Sequence, residues 1–217
     1  MIPRSWLKLI LLLSLLWIWI YQAHLRPRLL AWGASALESK QSLPGDDLVP
    51  DDELLLQTTR SITIQARPSE IWPWLVQIGQ GRGGFYSYDW LENLFQMDIH
   101  NAQEILPQYQ DLKVGEVVPF WKGVGVSVRD MQKDSHLVMA GSMQPGAEST
   151  GGSWAFLLQP LDHRNTRLTI RTRVGIFPPE WLSRLFSLLL LEPAHYVMER
   201  RMLMGIRERA EFASAAG

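Results

Sequence analysis

The sequence contains no cysteine, which excludes disulfides, thiolate-bound metals and a cysteine nucleophile. It also lacks an excess of either charge, because 21 Lys and Arg residues are balanced by 22 Asp and Glu residues and the formal net charge is −1. No positive field extends over the whole chain to hold a nucleic acid backbone. We therefore expect no nucleic acid partner.

Aromatic residues, by contrast, are abundant. The chain has 10 tryptophans among 217 residues, and 47% of its residues are hydrophobic. This composition is sufficient for one well-buried core and favours one main domain. The large rings either fill that core or line a cavity for an apolar guest.

A charge-free apolar run, LILLLSLLWIWIY, extends from Leu9 to Tyr21 after the basic residues Arg4 and Lys8. With its flanks it approaches the roughly 20 residues that a membrane span requires. A cleaved signal peptide is the alternative, but the best small-x-small site, Ala34–Ala36, lies well beyond the run. We predict an uncleaved single anchor over residues 1–25, in a bacterial inner membrane, with the orientation left open.

Residues 26–54 are predicted to be a linker. Their stretch LPGDDLVPDD combines prolines, a glycine and four aspartates, which is typical of a solvated acidic turn. The ligand spacing of a calcium-binding loop is missing. The folded domain is therefore predicted over residues 55–213.

The stretch GQGRGG, Gly79 to Gly84, matches the dinucleotide-binding pattern G-x-G-x-x-G. In that motif the glycines follow a strand and open a helix, so that phosphate rests on free N–H groups. Here a helix that starts near Arg67-Pro68-Ser69-Glu70 precedes the glycines. We predict no nucleotide binding.

Most of the remaining chain reads as antiparallel strands followed by helix. The predicted strands are Ser61–Ala66, Gly115–Trp121, Gly125–Met131, His136–Met143, Gly152–Leu161 and Arg167–Gly175. Alternation places Trp154 with Phe156 on one face and leaves Arg171 and Arg173 towards solvent on the other.

The last segment is predicted to be helical, and Pro193 is predicted to mark a break or a kink after Glu192. Its apolar stripe contains Leu182, Leu185, Phe186 and Leu189. We expect that stripe to pack on the curved sheet.

The order of these elements resembles the helix-grip fold of the START-like, or SRPBCC, superfamily. The segments RPRLLAWGA, LPGDDLVP, WPWLVQIGQGRGGFYSYDWLEN, DIHNA and LLEPAHYVMERRML are similar to a bacterial polyketide cyclase/dehydrase-like family of that group, of unknown function. The resemblance implies an α+β fold in which a curved antiparallel sheet wraps a long C-terminal helix, preceded by an N-terminal hydrophobic helix. It implies no shared catalytic set, because the superfamily includes carriers, receptors and enzymes.

Three residues are candidates for acid or base chemistry. Asp89 could act as a base in apolar surroundings, or it could begin the second helix. His100, beside Asp98 and Asn101, could move a proton or only stabilise its loop. His195 is the third candidate.

Glu192 and His195 have the E-x-x-H spacing of carboxylate-bridged metal sites. A second copy of that motif is missing, so we expect no metal and no cofactor. The alternative roles are a helix cap for Glu192 and a hydrogen bond from His195 to Glu199.

The sequence thus predicts a membrane-tethered module that holds a hydrophobic small molecule or lipid between the sheet and the C-terminal helix. An enzyme of cyclase, dehydratase or isomerase type is the alternative, and an interaction domain with a filled core is a third interpretation. The predicted ligand-binding residues are Trp74, Tyr86, Tyr88, Trp90, Trp121, Trp154, Phe156, Glu192 and His195.

Overall fold

Alternating apolar residues and turn-forming breaks build six strands in the computed structural model, which describes residues 4–121, 123–142 and 151–216. The strands are β1 (Leu54–Ile64), β2 (Val117–Trp121), β3 (Val124–Gln132), β4 (His136–Gly141), β5 (Gly152–Pro160) and β6 (Thr166–Gly175). They form one sheet in the order β1-β6-β5-β4-β3-β2, and every neighbouring pair is antiparallel. The predicted meander is confirmed, although β1 begins earlier than expected. Met143, the last residue of the predicted strand His136–Met143, lies outside the described residues.

The hairpin of β5 and β6 confirms the faces inferred from alternation. Phe156 pairs with Ile170 and Leu158 pairs with Leu168, so these four apolar side chains share one face of the sheet. In the turn between the strands, the side chain of Asp162 accepts hydrogen bonds from two backbone N–H groups at 2.8 and 2.9 Å. Such a side chain mimics a backbone turn and fixes the register of the hairpin.

Seven α-helices lie in the described residues, and two π-helical turns connect some of them. The helices are α1 (Arg4–Ile20), α2 (Arg26–Leu30), α3 (Ala36–Lys40), α4 (Pro68–Val76), α5 (Asp89–Leu94), α6 (Glu180–Phe186) and α7 (Glu192–Ala216). The π-helical turns are Tyr21–Leu25, between α1 and α2, and Ser187–Leu191, between α6 and α7. The backbone stays helical from the π-helical turn through Glu192 and Pro193, so the helix does not break at Pro193, which is the second residue of α7.

Helix α7 lies in the concave face of the curved sheet. It packs against β1 and α4 and buries an apolar face that includes Leu203, Ile206 and Ala210. Burial of a helix stripe against one face of a sheet is what a two-layer domain requires. The α+β helix-grip architecture, with a hydrophobic helix at the N-terminus, is confirmed.

The convex face of the sheet is covered by the segment 36–53, part of the stretch predicted to be a linker. Arg171 donates to Asp46 at 2.8 Å, and Arg173 donates to the carbonyl of Val49 at 3.0 Å. Both arginines are buried, so the expectation that they face solvent is wrong. Alternation assigned their face correctly, but the segment that covers this face comes from more than 100 residues away.

The N-terminal helical stretch Trp6–Leu30 is long and apolar enough to cross a membrane, and no part of its apolar window is buried in the domain. Its 25 residues span about 37 Å as a helix, which exceeds the roughly 30 Å of a hydrocarbon core.

The apolar stripe of α6 lies on the surface, which corrects the expectation that it packs on the sheet. Leu182, Leu185, Phe186 and Leu189 are all exposed. Ser183 is buried instead, and its hydroxyl donates at 2.8 Å to the carbonyl of Glu180, one turn earlier in the same helix.

Candidate functional site

One row of side chains crosses the concave face of the sheet beneath α7. Cα pairing places Thr58, Thr172, Trp154, Met139 and Val128 next to one another on successive strands. Directly opposite residues of antiparallel strands project from the same face. The row therefore joins a polar end, on β1 and β6, to an apolar end that begins at Trp154.

The apolar end is a cluster of four aromatic rings. The ring centroids of Trp154 and Phe156 are 4.7 Å apart, those of Phe85 and Phe120 are 5.1 Å apart, and Phe120 meets Trp154 edge-on at 6.3 Å. Phe85 and Phe156 are buried, whereas Phe120 and Trp154 are half-buried. The cluster thus reaches from the core towards the surface.

The indole N–H of Trp154 stands out within this cluster. Its Nε1 atom is buried and has no hydrogen-bond partner among residues 4–121, 123–142 and 151–216. A buried donor without a partner costs about 1 to 3 kcal/mol relative to a satisfied one. An acceptor oxygen from a bound molecule would remove that cost.

The polar end is built around a buried ion pair between Arg60 and Glu199. Both side chains are almost inaccessible to solvent, and their charged atoms are in direct contact. Arg60 contacts Oε2 of Glu199, and the hydroxyl of Thr58 lies 3.5 Å from the same oxygen. The other oxygen, Oε1, accepts from the hydroxyl of Thr172 at 2.9 Å. Arg60 also donates through Nε to the carbonyl of Leu29 at 3.0 Å. The pair therefore joins β1, β6, α7 and α2.

His195 completes the polar cluster. Arg60 Nη1 lies 2.9 Å from its Nδ1, and Glu199 Oε1 lies 3.4 Å from its Nε2. Because a guanidinium has only donors, Nδ1 must accept, which assigns the ring proton to Nε2. Burial lowers the pKa of His195, and Arg60 lowers it further while Glu199 opposes the change. The lowered pKa favours the neutral imidazole, whose Nδ1 accepts from Arg60 while its Nε2 lies near Glu199.

Glu192 has a different partner from the one expected of a helix cap. Its carboxylate accepts two hydrogen bonds from Arg26, at 2.7 and 2.8 Å, and lies 3.3 Å from the hydroxyl of Ser187. The bidentate pair fixes the start of α7 to the start of α2. Within the described residues, no group of three His, Cys, Asp or Glu side chains is positioned to hold a metal ion.

The other two acid or base candidates lie outside this site. Asp89 begins α5 and accepts from the backbone N–H of Trp90 at 2.8 Å. His100 is exposed and contacts Asp98 at 3.1 Å. Its neighbour Asn101 holds the chain before α5, because its Oδ1 accepts from two backbone N–H groups, including that of Tyr86 at 2.6 Å.

Trp74 and Tyr86, two of the predicted ligand-binding residues, are buried in the core. Their rings meet edge-on at 5.9 Å, and the Tyr86 hydroxyl donates to the carbonyl of Trp74 at 3.0 Å. Tyr86 has a positive φ of 57° and carries the guanidinium of Arg209 over its ring at 4.9 Å. Burial is the main cause that raises the pKa of its phenol. These contacts make Tyr86 a structural link between α4, α7 and the loop before α5.

The remaining predicted ligand-binding residues lie nearer the surface. Tyr88 is half-buried and its ring centroid is 6.3 Å from that of Trp90, which is exposed. Trp121 is half-buried at the end of β2. The structure thus brings Trp154, Phe156 and His195 to the concave face, with Glu192 at the start of α7, and distributes the other candidates around it.

The glycine-rich stretch follows α4, as predicted. Gly79 and Gly84 pair as an isolated bridge, and Arg82 donates to the carbonyls of Ile78 and Val76 at 3.1 and 2.8 Å. These bonds close a tight turn between helix and loop. No helix begins within the turn, so it does not provide the helix N-terminus on which a pyrophosphate rests.

Besides Arg171 and Arg173, sequence reasoning missed two further buried charges, Arg60 and Glu92. Arg60 occupies an inward position in the alternation Thr58, Arg60, Ile62, Ile64, and a charge in such a row is the signal that could have found it. Glu92 is buried in α5, and burial, with a smaller contribution from Asp89, raises its pKa to about 7.

We predict that Glu92→Gln stabilises the protein at alkaline but not at acidic pH. In the unfolded chain the carboxyl of Glu92 ionises near its ordinary pKa of 4.5, whereas in the folded protein its pKa is raised to about 7. Stability is therefore lost as the pH rises between these values. The variant should gain about 1 to 3 kcal/mol of unfolding free energy at high pH. Thermal unfolding measured on both sides of this range checks the prediction, with Glu208→Gln as the exposed control; equal effects at both pH values would contradict it.

The chain matches no protein-family model and no curated protein. Among solved structures, the hypothetical protein jhp0584 from Helicobacter pylori is 12% identical with a TM-score of 0.48, covering 82% of this chain and 99% of its own. The Aha1 dimer from Colwellia psychrerythraea is 13% identical with a TM-score of 0.33, over 65% and 93% of the two chains. CalU16 from Micromonospora echinospora is 11% identical with a TM-score of 0.34, over 73% and 86%. Likenesses of this size carry no argument about ligand or reaction.

Proposed function

We propose that the protein is a membrane-tethered binding module for a hydrophobic small molecule or lipid that carries a hydrogen-bond acceptor. The guest would lie on the concave face, against the half-buried rings of Phe120 and Trp154. The family suggested by the sequence, a polyketide cyclase/dehydrase-like branch of the SRPBCC group, is part of this proposal.

The unpaired indole N–H of Trp154 is the observation that carries the proposal. The atom is buried inside an aromatic cluster that reaches towards the surface, where a guest can supply both apolar contact and an acceptor. A second buried donor, Nη2 of Arg60, also has no partner among the described residues. Two such donors on one face favour a ligand with oxygen acceptors over a pure hydrocarbon.

Binding without chemistry is preferred to the enzymatic alternative. A general base needs a free atom within hydrogen-bond reach of the substrate. The Nδ1 atom of His195, the ring nitrogen that could accept a proton, is engaged by Arg60 at 2.9 Å, and its Nε2 lies 3.4 Å from Glu199. Asp89 and His100 are exposed and lie on α5 and the loop after it. These placements favour a structural role for the cluster of Arg60, His195 and Glu199, which would stabilise the fold beside the binding site.

The test uses Trp154→Phe, which keeps an aromatic ring and removes the N–H. We expect the full chain in detergent to bind menadione, a compact quinone with two carbonyl acceptors. Loss of one hydrogen bond of about 1 kcal/mol should weaken this binding about five-fold. Binding of methylnaphthalene, which has the same ring system and no acceptor, should not change.

The binding of each probe is measured by equilibrium dialysis, with protein-free micelles in the opposite chamber. Trp90→Phe, which changes an exposed ring in the same way, is the matched control. Absence of saturable menadione binding to the wild type, or an equal loss for both probes, would remove Trp154 Nε1 from a ligand site. Native mass spectrometry of the detergent-extracted protein would identify a co-purified guest directly.

The tether is a separate part of the proposal. The apolar window within Trp6–Leu30 is unburied and spans a bilayer in length, and Arg26 and Arg28 follow its aromatic end. We expect the full chain to remain in membranes after alkaline carbonate washing and to retain its N-terminus. Recovery of a mature chain that begins near Leu37 would show cleavage and contradict the anchor.

A further inference from the structure

Helix α6 and the π-helical turn after it expose apolar side chains and bury polar ones, which is the opposite of a helix on a water-exposed surface. Six large apolar side chains are exposed on this segment: Trp181, Leu182, Leu185, Phe186, Leu189 and Leu190. Their spacing of one, three or four residues places them on one face. The buried side instead carries Ser183 and Ser187, which are 0% and 2% exposed. A helix that faced only water would bury the apolar residues and expose the serines.

This apolar face lies beside the base of the N-terminal helix. The π-helical turn ends at Leu191, and the next residue, Glu192, holds Arg26 through two hydrogen bonds. Ser187, on the inner side of the turn, reaches the same carboxylate at 3.3 Å. The segment is thus fixed at the point where the apolar helix meets the domain.

We infer that residues 180–191 form a second membrane contact, lying in the interfacial layer of the bilayer that the N-terminal helix enters. The inference rests on the proposed tether. The bilayer is the occupant because the contact between α2 and α7 places this face where the span ends, and a contiguous exposed apolar patch marks an interaction surface. Trp181 and Arg184 suit that depth, since an indole and a guanidinium both favour the headgroup layer.

A second membrane contact would orient the domain. A single helix can rotate and tilt in the bilayer and carry the attached domain with it, whereas two contacts fix which side of the sheet faces the lipid. The start of α7, and with it the polar end of the concave face, would then lie near the membrane surface. A lipid-soluble guest could pass between bilayer and domain over a short path.

The experiment uses the absence of cysteine from the chain, so that one introduced cysteine is the only thiol. The full-length variants Leu185→Cys and Leu189→Cys each carry a nitroxide label and are reconstituted into vesicles of phosphatidylcholine and phosphatidylglycerol. Leu13→Cys reports on the span. Phe212→Cys is the matched control, because its side chain is 79% exposed and lies about 30 Å along α7 from Glu192.

Power-saturation electron paramagnetic resonance then compares collisions with oxygen, which concentrates in lipid, and with a water-soluble nickel chelate. We expect labels at 13, 185 and 189 to favour oxygen and the label at 212 to favour nickel. A lipid-like signal at 13 with nickel-accessible labels at 185 and 189 would overturn the second contact and leave the tether intact.

Labels at 185 and 189 that neither reagent reaches would indicate cover by protein, either a second copy or another partner, and would also overturn the inference. A nickel-accessible label at 13 would overturn the tether and the second contact together.

Discussion

Arg60→Met is expected to lower the free energy of unfolding by about 3 to 5 kcal/mol, because it leaves the carboxylate of Glu199 buried without its charged partner. Both side chains are almost fully buried, and Arg60 also supplies hydrogen bonds to His195 and to the carbonyl of Leu29. Chemical denaturation of the detergent-solubilised chain, followed by circular dichroism, measures the change. The loss should far exceed that of any single surface ion pair.

The double variant Arg60→Met/Glu199→Leu provides the decisive comparison. Replacing both charges by apolar groups removes the unpaired carboxylate, so most of the loss should be recovered. Arg67→Met is the matched control, since the pair that Arg67 forms with Glu70 is exposed to solvent and should contribute little to stability. A single variant as stable as the wild type, or a double variant less stable than Arg60→Met, would contradict a tightly coupled buried pair.

Elements whose signals are local could be predicted from the sequence. The alternation in β5 and β6 identified the shared face of Phe156 and Ile170, and the Asp162 turn between them has its own chemical signature. The helix before the glycines was likewise marked by Pro68 and Glu70 at its first turn. In each case a few neighbouring residues determine the conformation.

Exposure could not be predicted in the same way, because it depends on segments distant in sequence. Alternation placed Arg171 on the convex face, but its partner Asp46 lies 125 residues away. The stripe of α6 illustrates the opposite error. Periodicity showed that Leu185 and Leu189 share a face, and only the burial of Ser183 on the opposite side shows that this face points outwards.

The candidate site was predicted in part for the same reason. Trp154 and His195 were found because aromatic and imidazole groups are conspicuous on periodic segments. Arg60 was missed, since its role depends on Glu199, 139 residues away, and on Leu29 in α2. A charge at an inward strand position implies a buried partner, but a single sequence does not identify which one.

Gly205→Ala is expected to destabilise the protein, although alanine is the better helix former. Helix propensity alone predicts a gain of about 1 kcal/mol at a position inside α7. A Cβ atom at Gly205, however, would overlap the carbonyl oxygen of Tyr86 and lie 3.0 Å from its Cβ. Overpacking of this kind costs about 1 to 3 kcal/mol, so the net effect should be a loss.

The sign of this effect depends on whether Tyr86 can move away. Its backbone N–H is held by Asn101 at 2.6 Å, its hydroxyl is held by Trp74, and Arg209 covers its ring. Thermal unfolding should therefore show a loss of stability in Gly205→Ala and a larger loss in Gly205→Val. The control is Phe212→Ala, at an exposed site on the same helix, which should change stability by no more than about 0.5 kcal/mol. If Gly205→Ala raised the unfolding temperature, the loop that carries Tyr86 would have to yield, and the close contact between this loop and α7 would not constrain the fold.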